Sequence, residues 1–186
     1  RLLPGIPFEL EPFILRRTKA QVVKELPEKT EIARRVVLCG KQRELYDALR
    51  ISLGEEVREV VRQRGLEHSG IIVLDALLKL RQTCCDPRLV KLESARGVRE
   101  SAKMELLMDM LPDLLSEGRR VLLFSQFTEM LALIARELNR RHLHYVTLTG
   151  DTRDRAEPVR KFQDGEVPLF LLSLKAGGVG LNLTAA

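Results

Sequence analysis

From Ser101 onward the chain alternates between two hydrophobic periods, and that alternation limits the folds open to it. Residues 120–124, 144–148 and 169–174 are short apolar runs of strand length. Between them lie helical stripes: Leu131, Ile134, Ala135 and Leu138, then Val159 and Phe162. A further stripe, Met104, Leu107, Met108 and Leu111, precedes the first run. Strand, helix, strand, helix, strand with short turns predicts crossover connections and a parallel sheet. Strands that read as continuous apolar runs agree, because helices cover both faces of such a sheet. Within this region Pro112 is expected to kink or split its helix and Gly118 to stop it. Thr128 is expected to cap the next helix, and the one after should start near Arg155, since Pro158 suits only a first turn.

In parallel sheets ligands sit beyond the carboxyl ends of the strands. Three turns fall there: Ser125-Gln126-Phe127, Thr149-Gly150-Asp151, and the stretch from Ser173 to Asn182 with its glycines at 177, 178 and 180. Each supplies small or polar groups that can donate to an anion, and bare backbone N–H groups suit a phosphate. The other reading of Gly150, Gly177 and Gly178 is that they only permit positive φ in tight turns. The standard nucleotide fingerprints are absent. Gly40-Lys41 is followed by Gln42, with Arg35 where a phosphate loop needs its first Gly, and Gly178-Val179-Gly180 would need Gly at Leu183. No paired-acid strand end, hydrolase triad or metal-ligand spacing stands out, and His142 and His144 lack a third ligand.

The remainder divides by pattern into residues 1–40, 41–100 and 101–186. Pro4, Pro12 and Pro27 break up the first part, and the β-branched end of residues 31–38 predicts an extended strand. The second part is helical. Leu45, Leu49, Leu53, Val57, Val60 and Val61 form one stripe with Gly65 as its C-cap. Residues 71–80 are apolar almost all round, which predicts a buried helix ended by Asp86-Pro87 with Cys84 and Cys85 in the core. A net charge of +5 suits a polyanionic partner without requiring one. Three cysteines, two of them adjacent, argue against a disulfide framework and for a reducing intracellular setting. No apolar stretch is long enough to span a bilayer and no signal pattern opens the chain. A start at Arg1 and an end at Ala186 inside the glycine-rich loop read as an excised piece, so the site is expected to be incomplete.

Several segments, in order, resemble the SWI/SNF-related ATPases of helicase superfamily two. Phe13-Ile14-Leu15-Arg16-Arg17-Thr18-Lys19 and Leu26-Pro27-Glu28-Lys29-Thr30-Glu31 resemble that family's hinge and brace segment. Leu80-Arg81-Gln82-Thr83-Cys84-Cys85-Asp86-Pro87 resembles the helix end preceding its second lobe. Val121-Leu122-Leu123-Phe124-Ser125-Gln126-Phe127 resembles motif IV, and Leu148-Thr149-Gly150-Asp151-Thr152 with Arg155 and Phe162 resembles the next block. Residues 173–184 resemble motif V, with Leu174 where many relatives carry Thr.

The resemblance implies a RecA-like, P-loop-NTPase-type C-terminal lobe at 101–186, a helical protrusion at 41–100 and a hinge and brace at 1–40. It implies a duplex-DNA translocase that hydrolyses ATP with Mg²⁺, both bound mainly by an N-terminal RecA-like lobe lying outside this chain, with no catalytic residue or metal ligand in this piece. Carried over position by position, Gly178, Gly180 and Asn182 would serve the nucleotide. Ser125, Gln126, Thr149, Arg155, Ser173 and Lys175 would face the DNA backbone. The setting would be nucleoid-associated in a bacterium or nuclear in a eukaryote. The alternative is a non-catalytic DNA- or protein-binding module derived from such a lobe.

Overall fold

The structure, a computed structural model, describes residues 30–65, 67–178, 180–181 and 183–186. The chain divides into two compact units, Arg1–Arg35 and Val36–Ala186. All regular secondary structure among the described residues lies in the second. Most of the expected hinge and brace lies outside the described residues. The strand expected at 31–38 does not form a ladder: those residues have no regular secondary structure, and Ile32 and Val37 are exposed. β-branched residues favour strands only where a neighbouring strand and a core accept them.

Three parallel strands make the sheet: β1 (Val121–Ser125), β2 (Tyr145–Leu148) and β3 (Leu169–Ser173), in the order β1-β3-β2. Helices α4 (Thr128–Arg140) and α5 (Ala156–Gln163) connect them. Every residue of the central strand is buried. Its side chains alternate with period two, as a pleated strand requires. Leu169 and Leu171 enter one core with Met108 and Leu111 of α3 (Ala102–Ser116) and Leu131, Ile134 and Leu138 of α4. Phe170 and Leu172 enter another with Phe162 of α5 and Leu148 of β2. The parallel, doubly covered sheet is the architecture the apolar runs predict.

Before the sheet, α1 (Gly40–Arg64) and α2 (Gly70–Cys85) pack together. Leu45, Leu49 and Leu53 of α1 bury against Ala76 of α2 and against Val90 and Ala95 of the following segment. Gly65, at φ 76°, ends α1 by donating its N–H to the Val61 carbonyl at 2.9 Å. The expectation that α2 is buried fails: Ile71 is 84% exposed and Leu74 67%, and only Ala76 and Thr83 are buried. One helix, α1, covers one side of α2, and its remaining apolar side faces out. Cys84 and Cys85 are therefore half-buried rather than central, and partial burial pushes the Cys84 thiol pKa up.

The junction between α2 and α3 is held by polar side chains. Gln42, 1% exposed, donates to the Thr83 carbonyl at 2.8 Å and accepts from the Ala102 N–H at 3.0 Å. Ser101 caps α3 by accepting from the Met104 N–H at 3.4 Å and donates to the Cys85 carbonyl at 3.1 Å. The fully buried Asp86 accepts from the Arg88 N–H at 3.0 Å and from its guanidinium at 2.8 and 2.7 Å. The bonds of Gln42 and Ser101 occupy backbone groups that helix ends leave unpaired.

Helix α3 runs through Pro112 without splitting, so of the two outcomes expected of this proline, a kink or a split, the split does not occur. Pro112 has no N–H for the carbonyl four residues back, which is that of Met108. Arg141 supplies the missing donor: its guanidinium reaches the Met108 oxygen at 2.9 Å. Glu137 also accepts from Arg140 and Arg141, and those hydrogen bonds hold its carboxyl below the usual carboxylate range. Arg141→Ala is expected to lower stability by about 1–3 kcal/mol by stranding that carbonyl. Pro112→Ala in the same chain restores an N–H and should recover much of the loss. Urea unfolding of the two single variants and the double variant checks this, and strictly additive effects would show that the two residues do not share the Met108 oxygen.

Candidate functional site

Register sets the site. Ser125 pairs with Ser173 and Leu148 with Leu172, so the three strands end level with one another. The turns after β1, β2 and β3 consequently leave from one edge of the sheet, the carboxyl edge.

After β1, the Ser125 hydroxyl accepts from the Phe127 N–H at 3.1 Å and donates to the Phe127 carbonyl at 3.0 Å. This tight turn places Phe127 at the N-cap of α4 with no side-chain cap, so Thr128 is the first helical residue rather than the cap expected of it. Gln126 stands exposed at the tip, and its Oε1 accepts from the guanidinium of Arg81 on α2. Arg81 lies 45 residues away in sequence. Motif reading quoted Arg81 without a role, and no local pattern marks a contact over that separation.

After β2, the Thr149 N–H donates to the Thr152 hydroxyl at 2.9 Å, closing a turn whose tip, Gly150 and Asp151, is exposed. Asp154 then caps α5, accepting from the N–H groups of Ala156 at 2.9 Å and Glu157 at 3.3 Å. Arg155 precedes Ala156, is exposed, and forms no ion pair among the described residues. The helix begins where Pro158 was expected to put it.

After β3 the chain enters a single helical turn, α6 (Leu174–Gly177). Ser173 is 3% exposed, and its hydroxyl accepts from the Ala176 N–H at 3.2 Å. This buried cap shapes the loop from beneath. Leu174, 55% exposed, and Lys175 form the outer side of the turn, and Lys175 has no ion-pair partner among the described residues.

The glycines divide by role. Gly150, Gly177 and Gly178 do not have positive φ, against the turn-only reading, whereas Gly180 does, at 61°. A β-carbon on Gly177 would lie 2.7 Å from the Phe124 ring, so that glycine permits close approach of α6 to β1. Gly178 caps α6 by donating to the Leu174 carbonyl at 3.1 Å. A β-carbon on Gly180 would meet nothing within 4 Å among the described residues, so the space beside it is open. Asn182 lies outside the described residues.

The edge therefore carries Gln126, Thr149, Arg155, Lys175 and Gly180, with Arg81 beside Gln126 and with Ser125 and Ser173 hydrogen-bonded within their turns. Among the described residues no three His, Cys, Asp or Glu side chains are grouped to hold a metal, and His142 and His144 are exposed. No helix among them is long and apolar enough to cross a membrane. The arrangement can bind anions through cations, an amide and open backbone. Among the described residues no assembled acid–base or nucleophilic group accompanies them.

The chain is similar to known proteins along most of its length. Residues 8–89 match the SNF2-related domain and residues 102–186 the helicase conserved C-terminal domain. The chain is 38% identical over 186 residues to the chromodomain-helicase-DNA-binding protein 1-like of Danio rerio, covering 95% of this chain and 18% of that protein. Among solved structures it is similar to the Sulfolobus solfataricus SWI2/SNF2 ATPase core in complex with dsDNA. That likeness has a TM-score of 0.70 and 32% identity over 94% of this chain and 37% of the other. The C-terminal domain of the Sulfolobus solfataricus SWI2/SNF2 ATPase gives a TM-score of 0.65 at 32% identity, over 78% of this chain and 64% of that one. The chain thus spans about a fifth or less of the curated relatives it matches. With two adjoining domain matches in the family's order and a parallel sheet that superposes on its second lobe, the chain belongs to the SWI/SNF-related superfamily-two helicase-like ATPases, and its sheet is that family's C-terminal RecA-like lobe.

Proposed function

We propose that this chain is the second-lobe portion of an ATP-driven duplex-DNA translocase. Residues 101–186 would form the lobe, 41–100 a helical protrusion, and 1–40 the hinge and brace. The observation that carries the reading is the level ending of three parallel strands, which collects Gln126, Thr149, Arg155 and Lys175 on one edge with the open backbone of Gly180. The existence of a related core in complex with dsDNA supports the same assignment.

On this reading Gln126, Thr149, Arg155 and Lys175 contact the DNA backbone, which needs donors and cations and no base reading. Ser125 and Ser173 hold the turns that present them. Gly178 and Gly180, with Asn182, face the nucleotide. The chain's fit to ATP is partial by its own chemistry: it offers open glycine backbone for a phosphate, and no grouped acids for Mg²⁺ among the described residues. An N-terminal RecA-like lobe of the same protein would hold most of the Mg-ATP. ATP supplies the phosphoryl-transfer free energy; this lobe's residues position phosphate and grip the duplex. The setting would be nucleoid-associated or nuclear according to source.

The exposed Leu174, where a hydroxyl would suit a phosphate better, favours a second reading: a binding module without turnover. A duplex-stimulated ATPase assay on the full-length protein separates the two. Stimulated turnover is expected, and salt-sensitive DNA binding with no turnover would establish the module.

Two variants sharpen the test. Arg155→Ala should weaken duplex affinity equally across sequences and reduce the salt slope by about one unit, the loss of one phosphate contact; an unchanged slope removes Arg155 from the interface. Gly180→Asn adds a side chain at a left-handed position that Asn tolerates better than other residues. It should cut ATP turnover by about tenfold or more while duplex affinity stays within about twofold, as expected if the backbone approaches phosphate. Parallel losses in both would instead indicate a disturbed fold.

A further inference from the structure

A second basic feature lies away from the sheet edge. A surface hollow of about 430 Å³ is lined by Arg88, Arg96, Arg99 and Arg136, with Val90, Ala95 and Val98 among its walls. No acid, lysine or aromatic residue lines it. The four arginines come from three places: the 3-10 turn Pro87–Leu89, the segment 96–99, and the middle of α4. Arg136 is eight residues beyond Thr128, about 12 Å along the helix from the carboxyl edge. The hollow is therefore separate from the loops described above.

Its walls are fixed. Val90 and Ala95, 6% and 4% exposed, belong to the core shared by α1 and α2. The Arg88 guanidinium is clamped by two bonds to the fully buried Asp86 carboxylate, and that pairing raises the Arg88 pKa. Arg96 is paired with Glu93 at 2.8 Å. The side chains of Arg99 and Arg136 have no hydrogen bond or ion pair among the described residues. Two uncompensated guanidinium groups thus share a hollow with two compensated ones. Like charges held together raise the affinity for a ligand bearing two or more negative charges.

We propose that this hollow is a docking site for an acidic peptide segment, carrying at least two carboxylates toward Arg99 and Arg136. Guanidinium forks match carboxylates bidentately. The shape favours a peptide over nucleic acid. A duplex is a convex cylinder too wide to enter a hollow of this size, and a single strand usually binds through aromatic stacking, for which no ring is present here. The hollow has room for a few side chains. This site does not depend on the translocase reading.

The test is fluorescence anisotropy of the full-length protein with a fluorescein-labelled eight-residue peptide alternating Glu and Ala, beside the same peptide with Gln for Glu. Saturable, salt-sensitive binding of the Glu peptide alone is expected. Arg99→Ala with Arg136→Ala should weaken it by about tenfold or more, the loss of two charge-assisted contacts. Arg58→Ala with Arg64→Ala on α1 should leave it unchanged, which separates a site from bulk charge. Duplex affinity should be the same in wild type and the Arg99/Arg136 variant. Thermal melting checks folding, and Arg99→Lys with Arg136→Lys, which keeps charge and loses the forks, should weaken binding several-fold if the alanine variant does not fold. Absence of Glu-peptide binding, an equal loss in both alanine pairs, or full retention in the Arg99/Arg136 variants overturns the proposal. Loss of duplex affinity in place of peptide affinity assigns the hollow to nucleic acid instead.

Discussion

Strand β3 is covered on both faces and paired on both edges, and nearly every other feature of the lobe is arranged around that condition. A strand with no exposure needs a neighbour on each side for its backbone groups and a helical layer above and below for its side chains. β1 and β2 supply the first; α3 and α4 on one face and α5 on the other supply the second. Because the pairing is in parallel register, one constraint also fixes where three loops emerge. The candidate edge is a by-product of burying five consecutive residues.

The helical segment joins this core through a few polar bonds and through Leu89 and Cys85, which pack into it. Gln42 bridges the end of α2 and the start of α3, and Ser101 adds a second link between them. Each bond uses a backbone group that would otherwise be stranded at a helix end, so each is worth more than a surface hydrogen bond. The hollow beside Arg99 is built on the same junction.

Much of the lobe was legible because its signals are local. Apolar runs, stripes and glycine stops placed the strands and helices to within a residue or two. What failed was set by distant groups. Pro112 reads as a helix break until Arg141, 29 positions on, is seen at the Met108 carbonyl. Residues 71–80 read as buried because composition cannot say how many neighbours a helix acquires. The expected strand at 31–38 had the right residues and no partner strand among those described. At the edge, motif resemblance picked out Ser173, and loop geometry, which residue type does not reveal, adds that its hydroxyl caps the turn that follows. Arg81 escaped notice for the converse reason: nothing near it in the chain announces its neighbour.

The pairing of Arg81 with Gln126 has a consequence for chemical polarity. A free carboxamide is ambivalent and can offer either its oxygen or its nitrogen. With the oxygen accepting from a guanidinium, one of its two acceptor positions is filled, while both N–H donors of the Gln126 NH₂ remain unspent. A group that could have welcomed cation or anion alike is thereby tilted toward acceptors, and the guanidinium beside it adds positive charge in the same sense.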